Sequence, residues 1–132
     1  MVIKLEENRY ISAGKLPVTL FKQGTYLYVG RAKNNLFARL NRHLRKGKKL
    51  FWHIDYLLQK AKIEEIWIKR NFLEECKIAL EIKNSLKDSI IPIKKFGSSD
   101  CNCVSHLFYL PEKTNFHSLF KKLAFERIEC GY

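Results

Sequence analysis

The chain has 132 residues, 46% of them hydrophobic, and a formal net charge of +12 at pH 7. This length suits one compact domain with a buried core, and the lack of any run of roughly 18 apolar residues excludes a membrane-spanning helix. The surplus of Lys and Arg predicts a polyanionic partner, because each phosphate contact releases condensed counterions. An ordinary solvated basic surface is the alternative interpretation.

The first residues and the cysteines bear on cellular location. Residues 1–7 lack the basic and then apolar segments of a secretory signal peptide, so we expect a cytoplasmic protein. Four cysteines are present, namely Cys76, Cys101, Cys103 and Cys130. In a cytoplasmic protein with an ample core we expect reduced thiols rather than disulfides.

Strand and helix signals follow one another along the chain. Strands are predicted at Val2–Leu5 and at residues 9–13, 25–30, 64–69 and 105–110. Helices are predicted at about residues 34–46, 51–60 and 71–87, and from residue 115 onward. The first two strands are expected to form a hairpin across residues 6–8. This order predicts a single α+β domain over residues 1–132, with a small, mostly antiparallel sheet flanked by helices.

The helix at residues 34–46 carries a basic face beside its apolar stripe. The stripe consists of Leu36, Phe37, Leu40 and Leu44. Arg39 and His43 lie one turn apart at its edge, a spacing that lets both face one phosphate. The other candidate contacts to nucleic acid are Arg31, Arg42, Arg45, Lys46, Lys48, Lys49 and His53. For Arg42 and Arg45, a solvated face is an acceptable alternative.

A carboxylate falls on the apolar face of the third predicted helix. On an ideal wheel started at Phe72, Glu75 falls at about 300°, between Ile82 and Leu86, whereas Glu81 falls on the solvent side. Burying an unpaired carboxylate costs several kcal/mol, so such groups find a metal or a cation. The wheel leaves a metal or catalytic role and a structural ion pair, for example with Lys83, equally open.

The cluster Cys101-x-Cys103-x-x-His106 has three candidate zinc ligands. Its spacing is tighter than in ordinary zinc sites, and Cys76 or Cys130 would have to complete it. A turn of small residues with reduced thiols packed near the core is the favoured interpretation.

Four ordered segments resemble the GIY-YIG nuclease superfamily. They are residues 25–32, 38–43, 49–57 and 96–109. Tyr28 and Gly30 match the family's Tyr-x-Gly strand, Arg39 and His43 match its following helix, and Glu75 matches its metal-binding Glu. The later segments are similar to a stand-alone prokaryotic branch, sometimes fused to endonuclease III-type repair enzymes. The resemblance covers roughly residues 1–110.

The resemblance implies a metal-dependent endonuclease that hydrolyses DNA, with a structure-specific or repair-linked substrate. Glu75 would hold Mg²⁺ or Mn²⁺, and Tyr28 would act as general base or orient the attacking water. Arg39 would stabilise the phosphorane charge, and His43 would relay or accept a proton. His53 matches a second His that some family nucleases have.

Two departures from the family pattern keep an alternative open. The family's opening Gly-Ile-Tyr strand has no match in residues 1–5, and Arg31 stands where the family often has Ser. These changes favour a nucleic-acid-binding module that kept the fold and lost catalysis. Retention of Tyr28, Arg39, His43 and Glu75 together favours the nuclease.

Overall fold

The computed structural model describes residues 1–31, 36–45, 48–69, 75–98, 103–111 and 115–128. It has the α+β fold that the sequence predicts. An antiparallel sheet of five strands has the order β6-β4-β1-β5-β7, and β2 and β3 form a separate two-stranded sheet. The strands are β1 Val2–Leu5, β2 Arg9–Ile11, β3 Thr19–Phe21, β4 Gly24–Tyr28, β5 Lys62–Ile68, β6 Leu107–Leu110 and β7 Glu126–Ile128. The helices are α1 Leu36–Leu44, α2 His53–Leu58, α3 Glu75–Ser85 and α4 Phe116–Lys122.

The predicted hairpin of the first two strands is wrong. β1 is the central strand of the large sheet and pairs with β4 and β5, whereas β2 pairs with β3. Val2 and Ile3 are both fully buried although they point to opposite faces, so β1 needs cover on both sides. Arg9 and Tyr10 are exposed, which suits β2 in a small sheet at the periphery.

The predicted strands at residues 25–30, 64–69 and 105–110 are confirmed within about two residues as β4, β5 and β6. The chain after residue 115 differs from the prediction, because the terminal helix ends at Lys122. Ala124 follows with a φ of 65°, which ends the helix and turns the chain back. β7 then adds to the edge of the sheet beside β5.

All four helices lie within the helical regions that the sequence predicts, and none of the described helices is long and apolar enough to cross a bilayer. The predicted start of the third helix, at residues 71–74, lies outside the described residues. Helices cover both faces of the large sheet. α3 and α4 pack on the face that holds Val2 and Leu27, and α2 packs on the face that holds Ile3 and Tyr26. α1 packs through Leu40 on β5.

The helix faces need two corrections. Phe37, placed on the apolar stripe of α1, is 49% exposed, while His43 at the edge of the stripe is buried. On α3, Leu80 is exposed and Ile78 is buried, so the buried face is rotated from the predicted one. The rotation moves its centre towards Glu75. The wheel misplaced both faces because it gives only the angles between residues of one helix. Which side of the helix faces the core depends on contacts with other elements.

Candidate functional site

Tyr28 ends β4, and the sheet fixes its position. Its amide donates to the Met1 carbonyl at 3.0 Å, and the amide of Val29 donates to the His106 carbonyl at 2.9 Å. The chain is therefore hydrogen-bonded on both sides at the end of β4, around Tyr28. The phenol ring lies edge-on to the buried ring of Phe96, with centroids 6.3 Å apart.

The turn at Gly97 brings three aromatic side chains together. A Cβ on Gly97 would lie 3.0 Å from the ring of Tyr28 and 3.4 Å from Cβ of His106. The Gly97 amide donates to Nδ1 of His53 at 2.9 Å. With a φ of 72° and this crowding, the position requires glycine. We call Tyr28, His53, Glu75, Gly97 and His106 the Gly97 cluster.

Glu75 contacts this cluster through His106, and it lies on α3, which packs on the opposite face of the sheet from the Tyr28 ring. Its Oε2 lies 3.9 Å from Nδ1 of the buried His106, and its side chain is 24% exposed. Among the residues that the structure describes, Lys83 is exposed and forms no ion pair with Glu75. The structural ion pair with Lys83 is thus wrong. Glu75 has one partly buried side facing His106 and one side open to solvent.

Burial lowers the pKa of His53, so its imidazole is neutral at neutral pH. The ring also packs against Phe96, with centroids 5.6 Å apart. Together with the hydrogen bond from Gly97, this contact fixes its orientation. The structure therefore places His53 beside the Gly97 turn, which also contacts Tyr28. The sequence groups His53 with the basic residues as a nucleic-acid contact.

A second group of side chains surrounds Trp52, at the start of α2. The guanidinium carbons of Arg39 and Arg42 each lie 4.4 Å from the Trp52 ring centroid, and the His43 ring lies 5.8 Å away. Asp55 is fully buried beneath them. We call Arg39, Arg42, His43, Trp52 and Asp55 the Trp52 cluster.

Asp55 holds the Trp52 cluster together. It accepts two hydrogen bonds from Arg42, at 2.9 and 3.1 Å, and one each from the amides of Phe51 and Trp52 at 2.8 Å. Burial raises the pKa of Asp55, but these hydrogen bonds outweigh burial and leave the pKa below its usual value. Arg42 therefore ties α1 to α2, and its interpretation as an ordinary solvated side chain is wrong.

His43 is neutral in this cluster. Burial, followed by the charge of Lys48, lowers its pKa to about 4. Within the described part of the chain its Nδ1 has no hydrogen-bond partner. The side chain was predicted to face a phosphate beside Arg39, but at 9% exposure it offers a phosphate neither charge nor much surface.

The remaining predicted basic contacts occupy different settings. Arg39 donates to the carbonyl of Arg31, just beyond the end of β4. Lys48 donates to the carbonyls of Arg42 and His43, so it satisfies the last turn of α1. Arg45 and Lys49 are exposed, and Lys46 lies outside the described residues.

Two cysteines, Cys76 and Cys103, lie next to the Gly97 cluster. The sulfur atoms of Cys76 and Cys103 lie at disulfide distance, whereas the sequence favours reduced thiols. His106 Nε2 lies 3.6 Å from Cys76 Sγ. Cys103 and His106 of the predicted zinc cluster are thus brought together with Cys76, while Cys101 and Cys130 lie outside the described residues.

Comparison with known proteins identifies a family and no activity. A family model described as "Domain of unknown function DUF123" matches residues 1–129. The chain belongs to this family. No curated protein and no solved structure matches it significantly. The function of this DUF123 chain has to be argued from its own residues.

Sequence reasoning missed the central residues of both clusters. Gly97 lies in the segment 96–109 of the family resemblance, and Asp55 lies in the segment 49–57. Neither residue has a role predicted from the sequence. A signal for Asp55 exists, because an acidic residue at the third position of a helix typically accepts from the backbone amides that precede it. No local pattern reveals that Gly97 faces Tyr28, since β4 and the turn are far apart in sequence.

Proposed function

We propose that this DUF123 chain is a metal-dependent endonuclease that hydrolyses phosphodiester bonds in DNA, with a structure-specific or repair-linked substrate. The observation that supports it best is the Gly97 cluster. A phenol and two imidazoles lie around Gly97, and a partly exposed carboxylate lies 3.9 Å from one of these imidazoles, in a chain whose net charge is +12. A carboxylate repels phosphate, so a protein that only binds nucleic acid gains nothing from one at this place.

Glu75 fits a hard divalent ion. Its carboxylate is 24% exposed, which leaves room for the water ligands that Mg²⁺ and Mn²⁺ retain. When bound, such an ion would neutralise charge on the phosphate and on the leaving oxygen. His106 would keep the carboxylate in place from its buried side. Glu75 is the one carboxylate among the five residues of the Gly97 cluster, so this role would rest on it.

The other residues would position the reactants. The Tyr28 hydroxyl would orient the attacking water, because the sheet and the Gly97 turn hold its ring rigidly. Arg39, which donates to the carbonyl of Arg31 just beyond β4, would supply positive charge for the phosphate. His43, with a pKa of about 4, is a weak base at neutral pH, so the proton of the attacking water would pass to bulk water rather than to His43.

A nucleic-acid-binding module without catalysis is the second candidate, and one observation favours it. β1 lies beside β4, in the place from which an opening strand would reach the cluster, yet its residues are Val2, Ile3, Lys4 and Leu5. No hydroxyl comes from this strand. The family resemblance leads one to expect a Tyr there.

One assay separates the two candidates. Purified protein is incubated with labelled single-stranded, duplex, flap and junction DNA in Mg²⁺, in Mn²⁺ and in EDTA. The nuclease proposal expects cleavage of at least one substrate with either metal and none in EDTA. Binding to these DNAs without cleavage under any metal condition would leave the binding module as the function.

A further inference from the structure

We propose that Cys76, Cys103 and His106 form a zinc site when the Cys76–Cys103 disulfide is reduced. The candidate ligand atoms all lie within 4.8 Å of one another. They come from the first turn of α3 and from the segment that leads into β6, so an ion here would link two elements that are distant in sequence. Two thiolates and one imidazole are a donor set that suits zinc.

The spacing of nitrogen and sulfur already fits a tetrahedral ion. With bonds of about 2.3 Å to sulfur and about 2.1 Å to nitrogen, such an ion separates the two ligand atoms by about 3.6 Å. His106 Nε2 and Cys76 Sγ are 3.6 Å apart. The two sulfurs would have to lie about 3.8 Å apart by the same geometry. Breaking the bond between them permits that separation.

A carboxylate also lies near the other nitrogen of this imidazole, on the side where metal-bound histidines commonly have an acceptor. Nδ1 of His106 faces Glu75 Oε2 at 3.9 Å, while Nε2 faces the sulfur. A negative charge on this side favours the tautomer with the proton on Nδ1, which leaves the lone pair of Nε2 directed at the ion. The ring is buried, so this orientation is held by the surrounding core.

A dithiol is a sufficient reductant for the Cys76–Cys103 bond. Two electrons from the dithiol break the Cys76–Cys103 bond and give two thiols, while the dithiol becomes a disulfide. Zinc then binds both sulfurs as thiolates, and two protons are released. One pair of cysteines therefore closes this corner of the fold in two ways, by a disulfide under oxidising conditions and by zinc under reducing ones.

The first test measures metal binding by the full chain after reduction with a phosphine and removal of metal. We expect one Zn²⁺ per chain, and with Co²⁺ we expect the thiolate charge-transfer band and the visible bands of a tetrahedral ion. Cys103→Ser should abolish the charge-transfer band or reduce it strongly. His117→Asn, which alters a histidine of α4 that contacts Glu65, should leave it unchanged. Reduced protein without stoichiometric cobalt, or equal bands in Cys103→Ser, would overturn the proposal.

The second test needs no variant and so does not depend on Cys103→Ser folding. Reduced protein is alkylated with iodoacetamide with and without Zn²⁺, and modification of Cys76 and Cys103 is followed by peptide mass spectrometry. Zinc should slow alkylation of both, and a chelator should restore it. Equal rates with and without zinc would contradict the site. The zinc site does not rest on the nuclease proposal, because DNA cleavage in Mg²⁺ by protein that binds no zinc would refute the zinc site alone.

Discussion

The Gly97 cluster and the Trp52 cluster contain similar residue types, yet they satisfy their charges differently. In the Trp52 cluster, Asp55 is fully buried and accepts four hydrogen bonds from Arg42 and two amides. In the Gly97 cluster, the Glu75 carboxylate is partly exposed and lies 3.9 Å from a histidine nitrogen. Asp55 has used its hydrogen-bonding capacity, whereas among the described residues Glu75 has a histidine nitrogen at 3.9 Å as its neighbour.

Because of this difference, the two clusters are suited to different roles. A buried carboxylate with a bidentate arginine and two amide donors is a structural joint between α1 and α2. A carboxylate with an open side can take a metal ion and its waters. The residues that the family resemblance treats as one site are thus divided, with Tyr28 and Glu75 in the Gly97 cluster and Arg39 and His43 in the Trp52 cluster.

Glu75→Gln is expected to give the largest effect of any single change. If Glu75 holds the metal, the cleavage rate should fall by orders of magnitude, because the ion contributes several kcal/mol and each 1.36 kcal/mol is about tenfold in rate. The free energy of unfolding should change little. Cleavage time courses and thermal melts of the same protein preparation measure both quantities.

Glu81→Gln is the matched control, since Glu81 is an exposed carboxylate on the same helix. It should leave cleavage and the melting temperature unchanged. The zinc content of each variant should be recorded, because Glu75 also faces His106. A large loss of stability in Glu75→Gln with unchanged specific activity would make Glu75 a structural residue and remove the difference between the two clusters.

Asp55→Asn should give the largest loss of stability. It leaves the Arg42 guanidinium without its ionised partner and replaces one acceptor oxygen with an NH2 donor that faces either Arg42 or the two amides, a change that costs about 3–5 kcal/mol in buried pairs. Urea unfolding measures the free energy, and Asp88→Asn, in an exposed turn after α3, serves as control. If Asp55→Asn unfolds at the same urea concentration as the control, the Trp52 cluster is not a joint.

The parts of this structure that could be predicted from sequence depend on local periodicity. The helix wheel placed Glu75 on the buried side of α3, and the aromatic run at residues 25–30 predicted β4. The hairpin of β1 with β2 was wrong because neighbouring strands were assumed to pair. The joint between Arg42 and Asp55 was missed because a wheel orients a residue within its own helix, and this contact joins two helices.

The buried imidazole of His43 should make stability fall with acidification. Burial holds its folded-state pKa at about 4, below the usual value of 6.5, so between these values the unfolded chain binds the proton that the native state excludes. The contribution is fully lost only below pH 4 and amounts to roughly 3 kcal/mol. Urea unfolding at several pH values between 4 and 7 measures it.

His43→Gln provides the comparison for this pH dependence, because it removes the titrating group and keeps a polar side chain of similar size. Its free energy of unfolding should depend less on pH over the same interval. Identical pH profiles for both proteins would mean that His43 has the same pKa in the native and unfolded states. Burial would then not exclude the proton, and His43 could be protonated as the predicted phosphate contact requires.

The smallest expected effect concerns the surface beside the Trp52 cluster. Phe51 is 75% exposed and lies edge-on to Trp52, with centroids 5.3 Å apart and the exposed Lys49 two residues before it. An exposed aromatic ring among basic residues offers a stacking surface to an unpaired base. Phe51→Ala should therefore weaken binding to single-stranded or flap DNA by about 1–3 kcal/mol and leave duplex binding nearly unchanged.

Tyr10→Ala is the matched control for Phe51→Ala, because Tyr10 is equally exposed at 75% but lies on β2, in the separate small sheet. It should leave binding to all DNAs unchanged. Fluorescence anisotropy at fixed salt gives the dissociation constants, and the salt has to be fixed because phosphate contacts dominate affinity. If both substitutions weaken binding equally, the loss reflects general surface contact. If only Phe51→Ala weakens it, and only where bases are unpaired, the Trp52 cluster is a joint that supports a base-stacking surface.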